Sequence, residues 1–134
     1  MAQLTSVVVQ GIPEKFPDID FVFQEAGIFW VSSLMYRLDS NYMRHRTLAP
    51  LLEKRPSAYM KEFYYGTQPL DFPSDPTFFE YAVEMIGGPE RLIYASDLPH
   101  SDYDHPGAIL DLHFLSDEEK AMVLGGNARE VFGI

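Results

Sequence analysis

Apolar residues follow two rhythms along this chain of 134 residues. Three short runs, Phe21-Val22-Phe23, Phe63-Tyr64-Tyr65 and Leu92-Ile93-Tyr94, are apolar without alternation and stop at polar or turn-forming residues. Unbroken runs of this kind suit strands covered on both faces. They predict strands over Asp20–Gln24, Phe63–Thr67 and Leu92–Ser96. Between them the spacing becomes helical. Val31, Leu34, Met35, Leu38 and Tyr42 predict a helix over Phe29–Met43, with Trp30 packing at its start. Phe78, Phe79, Ala82, Val83 and Ile86 predict the buried face of another, opened by Asp75-Pro76 and stopped by Gly87-Gly88.

The remaining segments are shorter. Leu4–Gln10 reads as the end of a helix, with Gly11 as its stop and Pro13 beyond it. Leu48–Lys54 reads as a short helix or loop, and Pro56 opens a brief turn through Met60. Two short helices are expected after the third strand. Ser116 with Glu119 and Asn127 with Glu130 each have capping-box spacing, and Gly125-Gly126 separates them. Strands separated by helices require parallel pairing with right-handed crossovers. The expected fold class is therefore α/β, one unit over 1–134. Three parallel strands leave two unpaired edges with apolar faces. A closed β/α barrel needs eight strands and about 250 residues. The pattern is that of a partial TIM (β/α)8-type barrel.

Composition narrows the function classes. A hydrophobic fraction of 46% can fill a core, which argues against disorder. The net charge of -10 is unsuited to nucleic acid, which demands a basic footprint. The chain has no cysteine, so disulfides and thiolate metal sites are excluded, and a cytoplasmic setting is expected. No apolar run approaches the ~20 residues that span a bilayer, and the first residues lack the pattern of a signal peptide.

The candidate chemistry lies just past the strands. Glu25 follows the first apolar run and Asp97 follows the third, so in a barrel both face one mouth. Paired carboxylates there can hold a divalent metal or serve as acid and base. Each also has a plain structural reading, capping a turn or pairing with a surface cation. The loop after Asp97 adds His100, Asp102, Asp104 and His105. His100 is the stronger ligand or proton-shuttle candidate, and His105 is expected to order the loop. The Asp-x-Asp at 102–104 lacks the glycine and distal glutamate of a calcium loop. His45 and His113 read as structural or surface residues. There is no phosphate-binding glycine loop and no nucleophile elbow.

Several segments together resemble the C-terminal half of the amidohydrolase 2 family, metal-dependent β/α-barrel hydrolases and decarboxylases. They are Phe16-Pro17-Asp18, Phe21 to Gly27, Trp30, Arg37-Leu38-Asp39, Arg55-Pro56-Ser57, Gln68-Pro69, Arg91 to His100 and Leu124 to Ala128. The resemblance implies that the three strands are the sixth, seventh and eighth of the barrel. It implies that Asp97 is the eighth-strand metal ligand and proton-transfer group, with His100 part of a Ser-Asp-x-Pro-His pattern. It places Glu25 where the decarboxylases carry a catalytic histidine. A divalent metal, zinc, is expected in the complete barrel. The family's His-x-His pair and fifth-strand histidine have no counterpart here, so Asp97 alone is expected to hold metal weakly if at all.

The expected function is that of a metal-dependent hydrolase or decarboxylase acting on a small-molecule substrate, inactive as this chain alone. Its expected partner is an N-terminal half-barrel chain or further copies of itself. The alternative is a non-catalytic half-barrel interaction module that pairs through its strand edges. Neither nucleic acid nor membrane is expected as a partner.

Overall fold

A computed structural model describes all residues, 1–134. Its centre is a three-stranded parallel sheet in the order β1 (Val22–Phe23), β2 (Tyr64–Gly66), β3 (Leu92–Ile93). Val22 registers with Tyr64, and Tyr65 with Leu92. The strands are shorter than the predicted runs: β1 and β2 keep the centres of theirs and β3 only its first two residues, because hydrogen-bonded pairing ends where the exit turns begin. β2 is buried along its whole length. Burial also pushes the Tyr65 hydroxyl far above its usual range, and that hydroxyl donates to the Met60 carbonyl at 2.7 Å.

Helices surround the sheet. They are α1 (Ala2–Val9), α2 (Ile12–Lys15), α3 (Phe29–Arg44), α4 (Pro56–Met60), α5 (Thr77–Ile86), α6 (Gly107–Leu110), α7 (Asp117–Ala121) and α8 (Asn127–Phe132). Gly11 stops α1 with a left-handed φ of 64°, a conformation that glycine adopts at no steric cost. α3 buries Val31, Met35, Leu38 and Tyr42, as their spacing predicts. α5 buries Phe79, Ala82, Val83 and Ile86, but Phe78 is 59% exposed. Phe78 lies a full 100° from Phe79 around the helix, so one of two successive phenylalanines must face out.

Two motifs of the sequence meet in space. The Asp39 carboxylate on α3 accepts from the Ser57 backbone N–H at 2.9 Å and from its hydroxyl at 2.7 Å. It thus satisfies an orphan donor at the start of α4 from another helix, in the manner of a cap.

The C-terminal segment departs from expectation. Ser116 and Glu119 form the full capping box. Asn127 does not cap. Gly125 and Gly126 stay helical, and a π-helical turn over Met122–Gly126 carries α7 straight into α8. The Asn127 side-chain amide is buried and donates to the carbonyls of Pro89 at 2.9 Å and Leu92 at 2.7 Å. α6 is an element the apolar pattern does not reveal, because a single turn cannot display a period.

The bridge between α3 and α4 gives a direct test. Asp39→Ala removes both acceptors and should cost about 1–2 kcal/mol of stability. Urea unfolding followed by circular dichroism checks this.

Candidate metal centre

Glu25 lies just beyond β1 and Asp97 beyond β3, both in the left-handed backbone region, with φ of 60° and 61°. They are the two non-glycine residues with positive φ. Such a conformation is uncommon for side-chain-bearing residues and is held only where surrounding contacts fix it. β1 and β3 are separated by β2, so their axes stand about 9–10 Å apart at ordinary strand spacing. Both side chains nonetheless reach a common point beyond the strand ends. Ligand atoms of Glu25, Asp97 and His100 all lie within 4.8 Å of one another. Gly66 on β2 makes space for the Gln24 side chain, whose oxygen a Cβ there would strike.

The contacts that hold each turn are visible. After β1, the Trp30 indole N–H donates to the carbonyls of Ala26 at 2.7 Å and Gly27 at 2.9 Å. The Gly27 N–H donates to the Gln68 carbonyl at 3.3 Å. Gly27 has a φ of 60°, which leaves the Glu25 turn with two left-handed residues in three. After β3, the Thr67 hydroxyl accepts from the Ala95 N–H at 3.2 Å. Asp104 then closes the loop. Its N–H donates to the Ser96 carbonyl at 2.9 Å, its carboxylate accepts from the Leu70 N–H at 2.7 Å, and its carbonyl accepts from the Tyr94 hydroxyl at 2.6 Å. Burial and the nearby Asp104 charge both raise the Tyr94 hydroxyl above its usual value. His105 Nδ1 accepts from the Gly107 N–H at 3.0 Å as α6 begins.

Asp97 and His100 form a pair within that loop. The His100 N–H donates to the Asp97 carbonyl at 2.9 Å, and Nδ1 lies 2.8 Å from the Asp97 carboxylate. The hydrogen bond to Asp97 is the largest influence raising the His100 imidazole above its ordinary 6.5, followed by the Asp97 charge, with smaller help from Glu25 and Asp102. The Asp97 side chain is 19% exposed and that of His100 64%. The site is therefore an open rim rather than a closed cavity. Nearby, the Gln68 side-chain oxygen is buried without a partner.

The three residues singled out by sequence are thus brought together. His45, His105 and His113 are not part of the cluster. Trp30 and Asp104 position the two turns, and sequence reasoning assigned neither that role. The available signals were a lone tryptophan three residues past the Glu25-Ala26-Gly27 turn and an aspartate just ahead of His105-Pro106.

The family model for amidohydrolases matches residues 1–134. The chain belongs to the amidohydrolase family. Among solved structures it is similar to 5-carboxyvanillate decarboxylase LigW from Sphingomonas paucimobilis, at 26% identity and a TM-score of 0.74. That match covers 96% of this chain and 38% of the decarboxylase. An amidohydrolase from Mycobacterium avium subsp. paratuberculosis K-10 superposes with a TM-score of 0.81 at 18% identity, covering 98% and 33% of the two chains. A dihydroxybenzoic acid decarboxylase from Polaromonas sp. JS666, with bound manganese and the inhibitor 2-nitroresorcinol, gives 0.71 at 18%, covering 98% and 39%. No curated protein matches the chain. The fold is a partial TIM-type barrel, and the chain spans well under half the length of these solved relatives.

The Asp97–His100 pair sets a pH dependence. Because its value is raised in the folded chain, the contribution of His100 to stability is full below 6.5 and fades as pH rises through the higher folded value. In a proton NMR titration His100 should titrate above 6.5, and Asp97→Asn should return it towards that value.

Proposed function

We propose that this chain supplies one part of the active site of a metal-dependent amidohydrolase or decarboxylase acting on a small carboxylated or cyclic substrate. The observation that carries the reading is the convergence of Glu25, Asp97 and His100 at the exit of a parallel sheet, where β/α barrels assemble their chemistry. Two carboxylates and an imidazole suit a borderline-hard divalent cation such as zinc or manganese. Asp97 and Glu25 would hold it from opposite sides of β2, with His100 as the third donor or as the partner that orients Asp97. The bound cation would supply Lewis-acid polarisation of the substrate and a lowered pKa for bound water.

The chain's own residues account for the proton. Decarboxylation replaces a carboxylate by a proton on carbon, and hydrolysis removes a proton from water. The Asp97–His100 pair can serve both, since the imidazole gains a proton when the carboxylate is beside it and returns it through an exposed ring edge. Glu25 is the second carboxylate across the rim. The family resemblance puts it where histidine-using decarboxylases carry their histidine, which favours an acid–base route through carboxylates.

The cluster lies open on one side, and the matched region covers 38% of LigW. Both support an N-terminal half-barrel as the source of the remaining ligands and the substrate pocket. The chain alone should show no turnover.

Manganese binding by the purified chain, followed by the electron paramagnetic resonance signal of the free ion, tests the metal reading. Binding should be detectable, and Glu25→Gln or Asp97→Asn should each weaken it about 10- to 100-fold. Binding that neither substitution changes would remove the assigned ligands.

A further inference from the structure

The two faces of the sheet differ in what they meet. Side chains alternate between the faces along each strand, and the register places Val22 beside Tyr64 and Gly66 beside Ile93. Phe21, Phe63, Tyr65 and Leu92 share the face turned towards the helices. The Phe21 and Phe63 rings pack at 5.3 Å, and Phe63, Tyr65 and Leu92 belong to the helix-bounded core of 23 buried residues. Tyr64 and Ile93 are buried too, yet neither belongs to that core. With Val22, Gln24 and Gly66 they form the opposite face, which in a β/α barrel is the interior.

Gln24 breaks the apolar character of that interior face. It continues the register of Val22 against Tyr64 and so stands beside Gly66, where a Cβ would strike Gln24 Oε1 and lie 3.0 Å from its Cδ. The carboxamide therefore lies across the central strand, in the space that a side chain at position 66 would fill. It is exposed and makes no hydrogen bond within the chain. The next residue, Glu25, already belongs to the rim cluster with Asp97 and His100, so the amide sits one row below that cluster.

Charge decides what such an amide can read. Glu25, Asp97 and Asp102 make the rim acidic, and His100 is paired with Asp97. Arg91 precedes β3 at the far end of the strand, with its guanidinium 5.2 Å from the Tyr64 ring centre and donating to the Glu62 carbonyl at 3.5 Å. A carboxylate entering this part of the interior thus finds one uncommitted neutral donor, the Gln24 amide. We infer that Gln24 is a substrate-recognition residue: its side-chain N–H donates to a carboxylate oxygen of a small substrate held at the Glu25–Asp97–His100 cluster, and Gly66 is the gap that lets it lie there. The inference rests on the reading of that cluster as a metal centre and adds the contact that orients the substrate.

Nuclear magnetic resonance of the 15N-labelled chain, titrated with benzoate in the presence of zinc, tests this. The Gln24 side-chain N–H signals, identified by their loss in Gln24→Leu, should shift on titration. Gln24→Leu should weaken benzoate binding about tenfold, read from the backbone amide of Ile93, and leave zinc affinity within about twofold. Gly66→Ala should weaken benzoate equally, and the double variant no further than either single one, because the glycine acts through the amide. Should Gly66→Ala not fold, Gln24→Leu decides alone. Zinc binding with Gln24 signals that benzoate leaves unmoved, or benzoate affinity that Gln24→Leu leaves unchanged, would overturn the role of Gln24 and spare the metal centre. A benzoate shift at Gln24 without zinc binding would overturn the metal centre and uphold the amide. No response to benzoate at all would sink the inference.

Discussion

The whole arrangement depends on burial of a three-residue strand. β2 touches solvent hardly at all, and both neighbours take their register from it. Strands of two or three residues cannot persist through ladder bonds alone, since each such bond contributes only about 1 kcal/mol net. They persist because Tyr65, Phe63, Leu92 and Ile86 are buried together in one core, where each large side chain is worth about 1.5–3 kcal/mol. Once β2 is fixed, the exits of β1 and β3 are fixed on either side of it. The positions of Glu25 and Asp97 follow from that.

What turns two strand exits into a cluster is a set of side-chain ties that skip along the sequence. Trp30 reaches back to Ala26 and Gly27, Thr67 reaches across to Ala95, and Asp104 ties its loop to Ser96, Leu70 and Tyr94. Most replace a backbone partner that the sheet no longer provides beyond its last ladder bond. Buried or half-buried backbone groups must find acceptors somewhere, and here they find them on residues whose local sequence carries no periodic signal.

Sequence reached the strands and long helices because hydrophobic periodicity is a local property, and it named Glu25, Asp97 and His100 because each follows or neighbours an abrupt end to an apolar run. It could not read the left-handed backbone at Glu25 and Asp97. Neither residue type prefers that region, so only tertiary contacts reveal it. Asn127 failed for a related reason. Its spacing to Glu130 is that of a capping box, but the amide serves two carbonyls near β3 that are distant in the chain. No further strand pairs with β1 or β3, so both are outer strands of the sheet, as the pattern of the chain leads one to expect.

The left-handed turns at the rim carry an evolutionary consequence. Either acid would be more comfortable as glycine, because the left-handed conformation disfavours a Cβ by about 1–2 kcal/mol. Random drift therefore has a downhill path that erases the cluster while making the polypeptide hardier. A lineage free of selection for chemistry should lose these acids early and keep its scaffold, leaving descendants that fold well and do nothing at the rim.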